Sequence, residues 1–118
     1  MEIRAFCDEY LHFGEPVTIV SGQVKHYDGE HCHGISLNTV MDPDLMKSHP
    51  SFVNVGPGQI VVVGTAGSKI RIPLLTGDIG HFIKPTKNGG WKVTSKRKGK
   101  SVGQILKSGE DYCDVVLL

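Results

Sequence analysis

The chain has 118 residues, enough for one domain that buries about 60–70% of its unfolded surface. Fifteen glycines and six prolines spread along it argue for many turns and against long helices, and a formal net charge of +1 gives the molecule no overall pull toward DNA or an anionic membrane. No run approaches the roughly 18 apolar residues of a membrane helix, the start lacks a signal peptide's layout, and Cys7, Cys32 and Cys113 fit neither a complete disulfide framework nor a zinc ribbon.

The composition therefore predicts a soluble all-β protein, a small single-domain β-barrel or β-sandwich with at most one short helix, made in the cytoplasm with reduced thiols. Residues 1–13 mix apolar side chains (Ile3, Phe6, Tyr10, Leu11, Phe13) with charge (Glu2, Arg4, Asp8, Glu9) and hold no period. A short helical turn or an irregular strand fits them. The reading carried forward is an N-terminal arm that orders against a neighbour, ahead of a domain spanning 14–118.

Gly14-Glu15-Pro16 breaks the chain, and residues 17–20 alternate as a half-buried strand with Val17 and Ile19 on one face. Ser21-Gly22 turns the chain into a poorly apolar strand at 23–27, and Asp28-Gly29 is a further turn pair. Residues 35–40 alternate again. Asp42-Pro43 supplies an N-cap and a first-turn proline for one short helix over 42–47, which His49-Pro50 stops.

Gly56-Pro57-Gly58 leads into 59–63, the most strand-prone segment, whose unbroken β-branched run implies burial on both faces. Residues 64–68 reverse it. Residues 69–74 then alternate with Ile70, Ile72 and Leu74 inward and Lys69 and Arg71 outward, while Pro73 marks an edge or a bulge. The two segments are expected to pair as a hairpin over 59–74. From Gly77 onward the chain reads as a β-meander, with apolar segments ending at Pro85 and then at 91–93, 102–106 and 114–118. A strand at the end of the chain needs partners elsewhere in the fold or in another subunit, which points to assembly.

His31-Cys32-His33, with His26 close by, gathers metal-ligand residue types. In a strand, residues 31 and 33 share a face, but zinc needs further ligands, and no spacing recommends Cys7, His81 or Cys113. A polar loop is the plainer reading, and no metal or cofactor is assigned. Lys96-Arg97-Lys98-Gly99-Lys100 is a compact basic run suited to phosphates or to an acidic protein surface. Trp91 is the one stacking residue near it, so a solvated loop is favoured over nucleic-acid contact. Trp91 itself suits a core and an interface equally. The glycine turns lack a P-loop register, no serine sits in a nucleophile elbow, and the carboxylates form no acid–base pattern. Nothing here argues for catalysis.

The order of elements in the second half resembles small phage head decoration (capsid cement) proteins. The residues that carry the resemblance are Gly-Gln-Ile-Val-Val-Val at 58–63, Thr76-Gly77-Asp78 opening a strand that ends near Lys84-Pro85, and a glycine turn followed by Trp91. Lys-Ser-Val-Gly-Gln-Ile-Leu at 100–106, an acidic turn at 108–111 and the closing Asp-Val-Val-Leu-Leu complete the pattern. The resemblance implies a virion structural protein on the capsid exterior that binds the major capsid protein and stabilises the assembled shell. It also implies a homo-oligomer, a trimer ahead of a dimer, with no membrane partner. The expected contact residues are Ile3, Arg4, Phe6, Tyr10 and Phe13 of the arm, then Trp91, Lys96, Arg97 and Lys98. The competing readings are a nucleic-acid-binding β-barrel that uses the basic loop with Trp91, and a compact metal-dependent enzyme built on His31 and His33.

Overall fold

The computed structural model describes residues 2–37, 54–55 and 58–118. Among the described residues there are twelve β-strands and no helix: β1 (Glu2–Cys7), β2 (Leu11–His12), β3 (Pro16–Val20), β4 (Gln23–His26), β5 (Gly34–Leu37), β6 (Asn54–Val55), β7 (Ile60–Gly64), β8 (Lys69–Pro73), β9 (Phe82–Pro85), β10 (Trp91–Thr94), β11 (Gly103–Ser108) and β12 (Tyr112–Leu117). The helix expected over 42–47 lies outside the described residues, as does part of the turn at 56–58. The all-β expectation holds.

Five strands close a barrel in the order β1-β4-β3-β5-β7, antiparallel throughout except for β1 beside β4. Closure satisfies every strand edge without a neighbour. Its interior is filled by Cys7, Leu11, Val17, Val24, Val61 and Val63, with Ala5 and Ile19 packed against them. Ser21-Gly22 joins β3 to β4, and positive φ at both residues (52° and 77°) matches the twist of the two strands. Gly34 sits where β5 passes from β3 to β7: a Cβ there would stand 2.2 Å from the Gly64 carbonyl oxygen, so only glycine lets the barrel close.

The remaining five strands form an antiparallel sheet, β10-β9-β11-β12-β8. Ile70, Ile72, Leu75, Ile83, Ile105, Cys113, Val115 and Leu117 make its buried face, and Ile35 joins them from β5 of the barrel. Strand β5 therefore serves two cores. Ile35 and Leu37 face the sheet, while Ser36 between them stands on the other side, opposite Val63.

Several sequence expectations are corrected by this topology. Residues 2–7 are not an arm: β1 pairs with β7 over five residues and with β4, and so closes the barrel. Segments 59–63 and 69–74 do not form a hairpin. Strand β7 is buried on both faces, as expected from Val61, Val62 and Val63, and takes β1 and β5 as its neighbours. The chain then crosses to the second sheet, where Gly67 N–H donates to Leu117 O and Leu117 N–H to Ser68 O, seating β8 on β12. Pro73 does lie in an edge strand. Leu74, expected inward, is 85% exposed at a φ of 60°, and Leu75 fills the core place instead.

The meander is also interrupted. Strand β11 returns to the far side of β9 from β10, which leaves β10 at the sheet's edge. The terminal strand β12 lies between β11 and β8, so both of its edges are paired within the chain and the argument from it to assembly falls away.

Residues 12–15 tie the two sheets together. Gly14 N–H donates to Ser36 O (2.8 Å), Ser36 N–H to Glu15 O (2.9 Å) and Glu15 N–H to Ser36 Oγ (3.2 Å), while the Ser36 hydroxyl donates to His12 O. From the second sheet, Trp91 Nε1–H donates to Gly14 O at 2.7 Å. Two predictions follow from this arrangement. Ser36→Ala should lower the unfolding free energy by about 1–3 kcal/mol in urea titrations, because a buried acceptor and donor disappear together. Deleting residues 2–7 should abolish the cooperative transition and the near-ultraviolet circular dichroism signal, since β7 and β4 then lose a shared partner; a retained transition would return this segment to the status of an arm.

Candidate functional site

Three surfaces carry the residues singled out by the sequence. The first is the outer wall of the barrel. Val20 stands opposite Gln23, Gln23 opposite Phe6 and Phe6 opposite Ile60, a row across β3, β4, β1 and β7 with all side chains on one face. Phe6 is 56% exposed, Ile60 47% and Val20 45%, so Phe6 and Ile60 lie side by side in solvent, with Val20 at the far end of the row beyond Gln23. Arg4, two residues before Phe6, shares that face and is exposed. Tyr10 is more exposed still, and Phe13 is half-buried. Ile3 shares the inward face with Ala5 and Cys7 but remains exposed, where the interior opens. Sequence reasoning found Phe6 but missed Ile60 and Val20, because only the register puts Ile60 beside it and Val20 in the same row.

Behind this wall lies a polar cluster. Glu15 is buried, and its Oε2 accepts the His12 amide at 2.9 Å. His26 Nδ1 comes within 2.8 Å of Glu15 Oε1, a close charge contact without hydrogen-bond alignment, while its Nε2 meets Tyr10 O at 2.7 Å and Glu9 Oε2 at 3.3 Å. Both ring nitrogens thus face oxygen atoms of the 9–15 segment. The cluster orients the 9–15 segment.

The second surface is a groove of about 380 Å³ between the two sheets, lined by His31, Cys32 and His33 on one side and by Lys100, Ser101 and Val102 on the other. Asp28 builds its barrel side by accepting the amides of Glu30 (2.8 Å) and His31 (2.9 Å). Buried Thr18 completes the loop, accepting from Asp28 N–H and donating to His31 O. The imidazoles of His31 and His33 stack 6.4 Å apart. His33 Nδ1 accepts the Ile19 amide at 2.8 Å, so in the neutral ring the outward Nε2 carries the proton and acts as a donor rather than as a metal ligand. Among the described residues no three His, Cys, Asp or Glu side chains converge as a metal site, and Cys7, His81 and Cys113 are not brought to the pair. Burial pushes the Cys32 thiol up, away from the nucleophilic thiolate.

The third surface is the edge of the second sheet. Trp91 is half-buried against the sheet core, with its indole N–H committed to Gly14 O. Lys96, Arg97 and Lys98 follow β10 and are all exposed. Their loop is ordered locally: Thr94 Oγ1 donates to Lys96 O, Lys98 N–H to Ser101 Oγ, and Ser101 N–H to Lys98 O. Lys100 reaches the barrel, donating to Gly29 O at 3.1 Å.

No family model matches the chain, and no curated protein matches its sequence. Its structure does have a solved counterpart, the head fiber gp8.5 N base of bacteriophage phi29, at a TM-score of 0.59 and 12% identity, covering 100% of this chain and 93% of that one. The two share a fold. At this identity the likeness concerns architecture, and the residues of the three surfaces must be argued from their own chemistry.

Asp28 provides a test of the groove. The amides of His31 and Glu30 hold its carboxyl below the ordinary carboxylate range. A depressed folded-state value stabilises the protein above the unfolded value, near about pH 4, and that contribution is lost as the pH falls through the folded value. Asp28→Ala should therefore be less stable than the unaltered chain at neutral pH, with the gap closing in acid, as measured by urea unfolding at both pH values.

Proposed function

We propose that this chain is a phage virion structural protein that sits on the outside of the head and binds the major capsid protein. The observation that supports this most is the shared architecture with a phage head fiber base. The sequence resemblance to head decoration proteins, which rests on the order of elements in the second half, leads to the same class. The role is mechanical, with no substrate turned over.

The shell contact is assigned to the barrel wall where Phe6 and Ile60 stand together, with Arg4 on the same face, Val20 beyond Gln23, and Tyr10 a further exposed aromatic on the segment after β1. Contiguous apolar side chains in solvent mark an interaction surface, whereas isolated ones do not. A protein that binds only the assembled shell stabilises it by mass action, by about 2.7 kcal/mol for each site held at 100 times its dissociation constant. Repetition over the shell multiplies that contribution. The copies are proposed to act as homo-oligomers, a trimer ahead of a dimer, which would add avidity to each contact.

The test is sedimentation with assembled phage heads. The unaltered protein should pellet with the heads, and Phe6→Glu, a change at an exposed position, should bind at least about tenfold more weakly, a difference of about 1.4 kcal/mol, while keeping its circular dichroism spectrum. Failure of the unaltered protein to pellet would overturn the capsid reading. Equal binding by the variant would remove the barrel wall from the contact.

A further inference from the structure

The two edges of the second sheet differ. Strand β8 at one edge ends in Pro73 and presents Lys69 and Arg71, with Arg71 held by Asp114 at 2.8 Å and stacked over Tyr112. Proline and charge are the ordinary guards of an edge. Strand β10 at the other edge has no proline, and among the described residues no strand lies on its outer side.

The register fixes which groups of β10 point outward. Thr86 N–H donates to Gly90 O, so that pair is hydrogen-bonded, and antiparallel alternation then makes Lys84–Lys92 and Phe82–Thr94 the bonded pairs. Trp91 and Val93 therefore direct their amides and carbonyls away from β9. Their side chains face the sheet core but stay half-buried, leaving apolar surface next to the open edge. Lys92 lies on the opposite face, exposed, and Lys96, Arg97 and Lys98 continue from the end of the strand.

We propose that the β10 edge is a docking site for an extended acidic segment of a partner protein, which adds a sixth strand to the sheet. Backbone bonds to Trp91 and Val93 hold the segment, its alternate apolar side chains extend the cover over those two residues, and its acidic side chains meet Lys92 and the basic loop. The site reads an alternating apolar–acidic strand. A nucleic acid fits it less well, because the indole N–H of Trp91 is tied to Gly14 and its ring packs on the sheet core, leaving no free stacking platform. The site is separate from the barrel wall and stands without the capsid reading.

The test uses the full chain, followed by amide NMR and hydrogen exchange, with a synthetic octapeptide of alternating valine and glutamate. Binding should shift and protect the Trp91 and Val93 amides, which exchange freely without peptide, while Lys92 and Thr94 change little. Lys96→Glu/Arg97→Glu/Lys98→Glu should weaken binding about tenfold or more, as should raised salt, and a valine–lysine octapeptide should leave the amides unshifted. Three results would overturn the proposal: protection of the Trp91 and Val93 amides before any peptide is added, equal binding of the basic peptide, or an oligothymidylate shifting these residues while the acidic peptide does not.

Discussion

The carbonyl of Gly14 accepts the Trp91 indole, and the backbone on either side of that carbonyl is fixed to Ser36. This one turn belongs to the barrel through Ser36 and to the second sheet through Trp91. Glycine suits that position because φ is 81°, in the left-handed region that other residues rarely adopt. The turn's geometry thereby sets how the two sheets meet, and with it the groove between them. Glu15 adds a cost that must be offset, since a buried carboxylate loses its hydration; the His12 amide and His26 supply the compensation. The β9–β10 turn covers the same carboxylate, with Gly89 close to its oxygen.

Two ways of managing strand edges coexist in one small chain. The barrel removes its edges by closing: without β1 the apolar β7 would lie open. The second sheet stays open and is guarded unevenly, by Pro73, Lys69 and Arg71 on one side and by Lys92 without a proline on the other. Cross-strand charge reinforces the guarded side. The Asp114 carboxyl is held below its ordinary range by the Arg71 guanidinium, whose hydrogen bond is the leading cause, although in solvent such a pair adds little stability.

Local chemistry was legible wherever one short segment determines its own conformation. Ser21-Gly22 and Asp28-Gly29 read as turns because small and polar residues favour them irrespective of context, and Ile70 and Ile72 read as inward because alternation has a period of two. Pairing was not legible. Residues 59–74 have the local features of a hairpin, yet β7 is apolar on both faces and needs two buried neighbours, a demand that only the whole sheet can meet. The N-terminal segment escaped for the opposite reason: its outward Phe6 and small inward Ala5 invert the usual hydrophobic pattern of a strand. The basic loop and Trp91 stood out in the sequence, whereas the groove draws residues from five separate segments and leaves no linear signature.

Strand β3 also separates the surfaces to which partners are assigned. Val20, in the apolar row, closes one end of it, while the Gly14 turn that holds Trp91 precedes the other end, so about 13 Å of extended chain lies between. Trp91 is also the first residue of β10. The apolar row of the barrel wall and the open edge of the second sheet are thus distinct patches, joined through one strand and one hydrogen-bonded turn. The Gly14 turn would set the relative orientation of partners bound at the two.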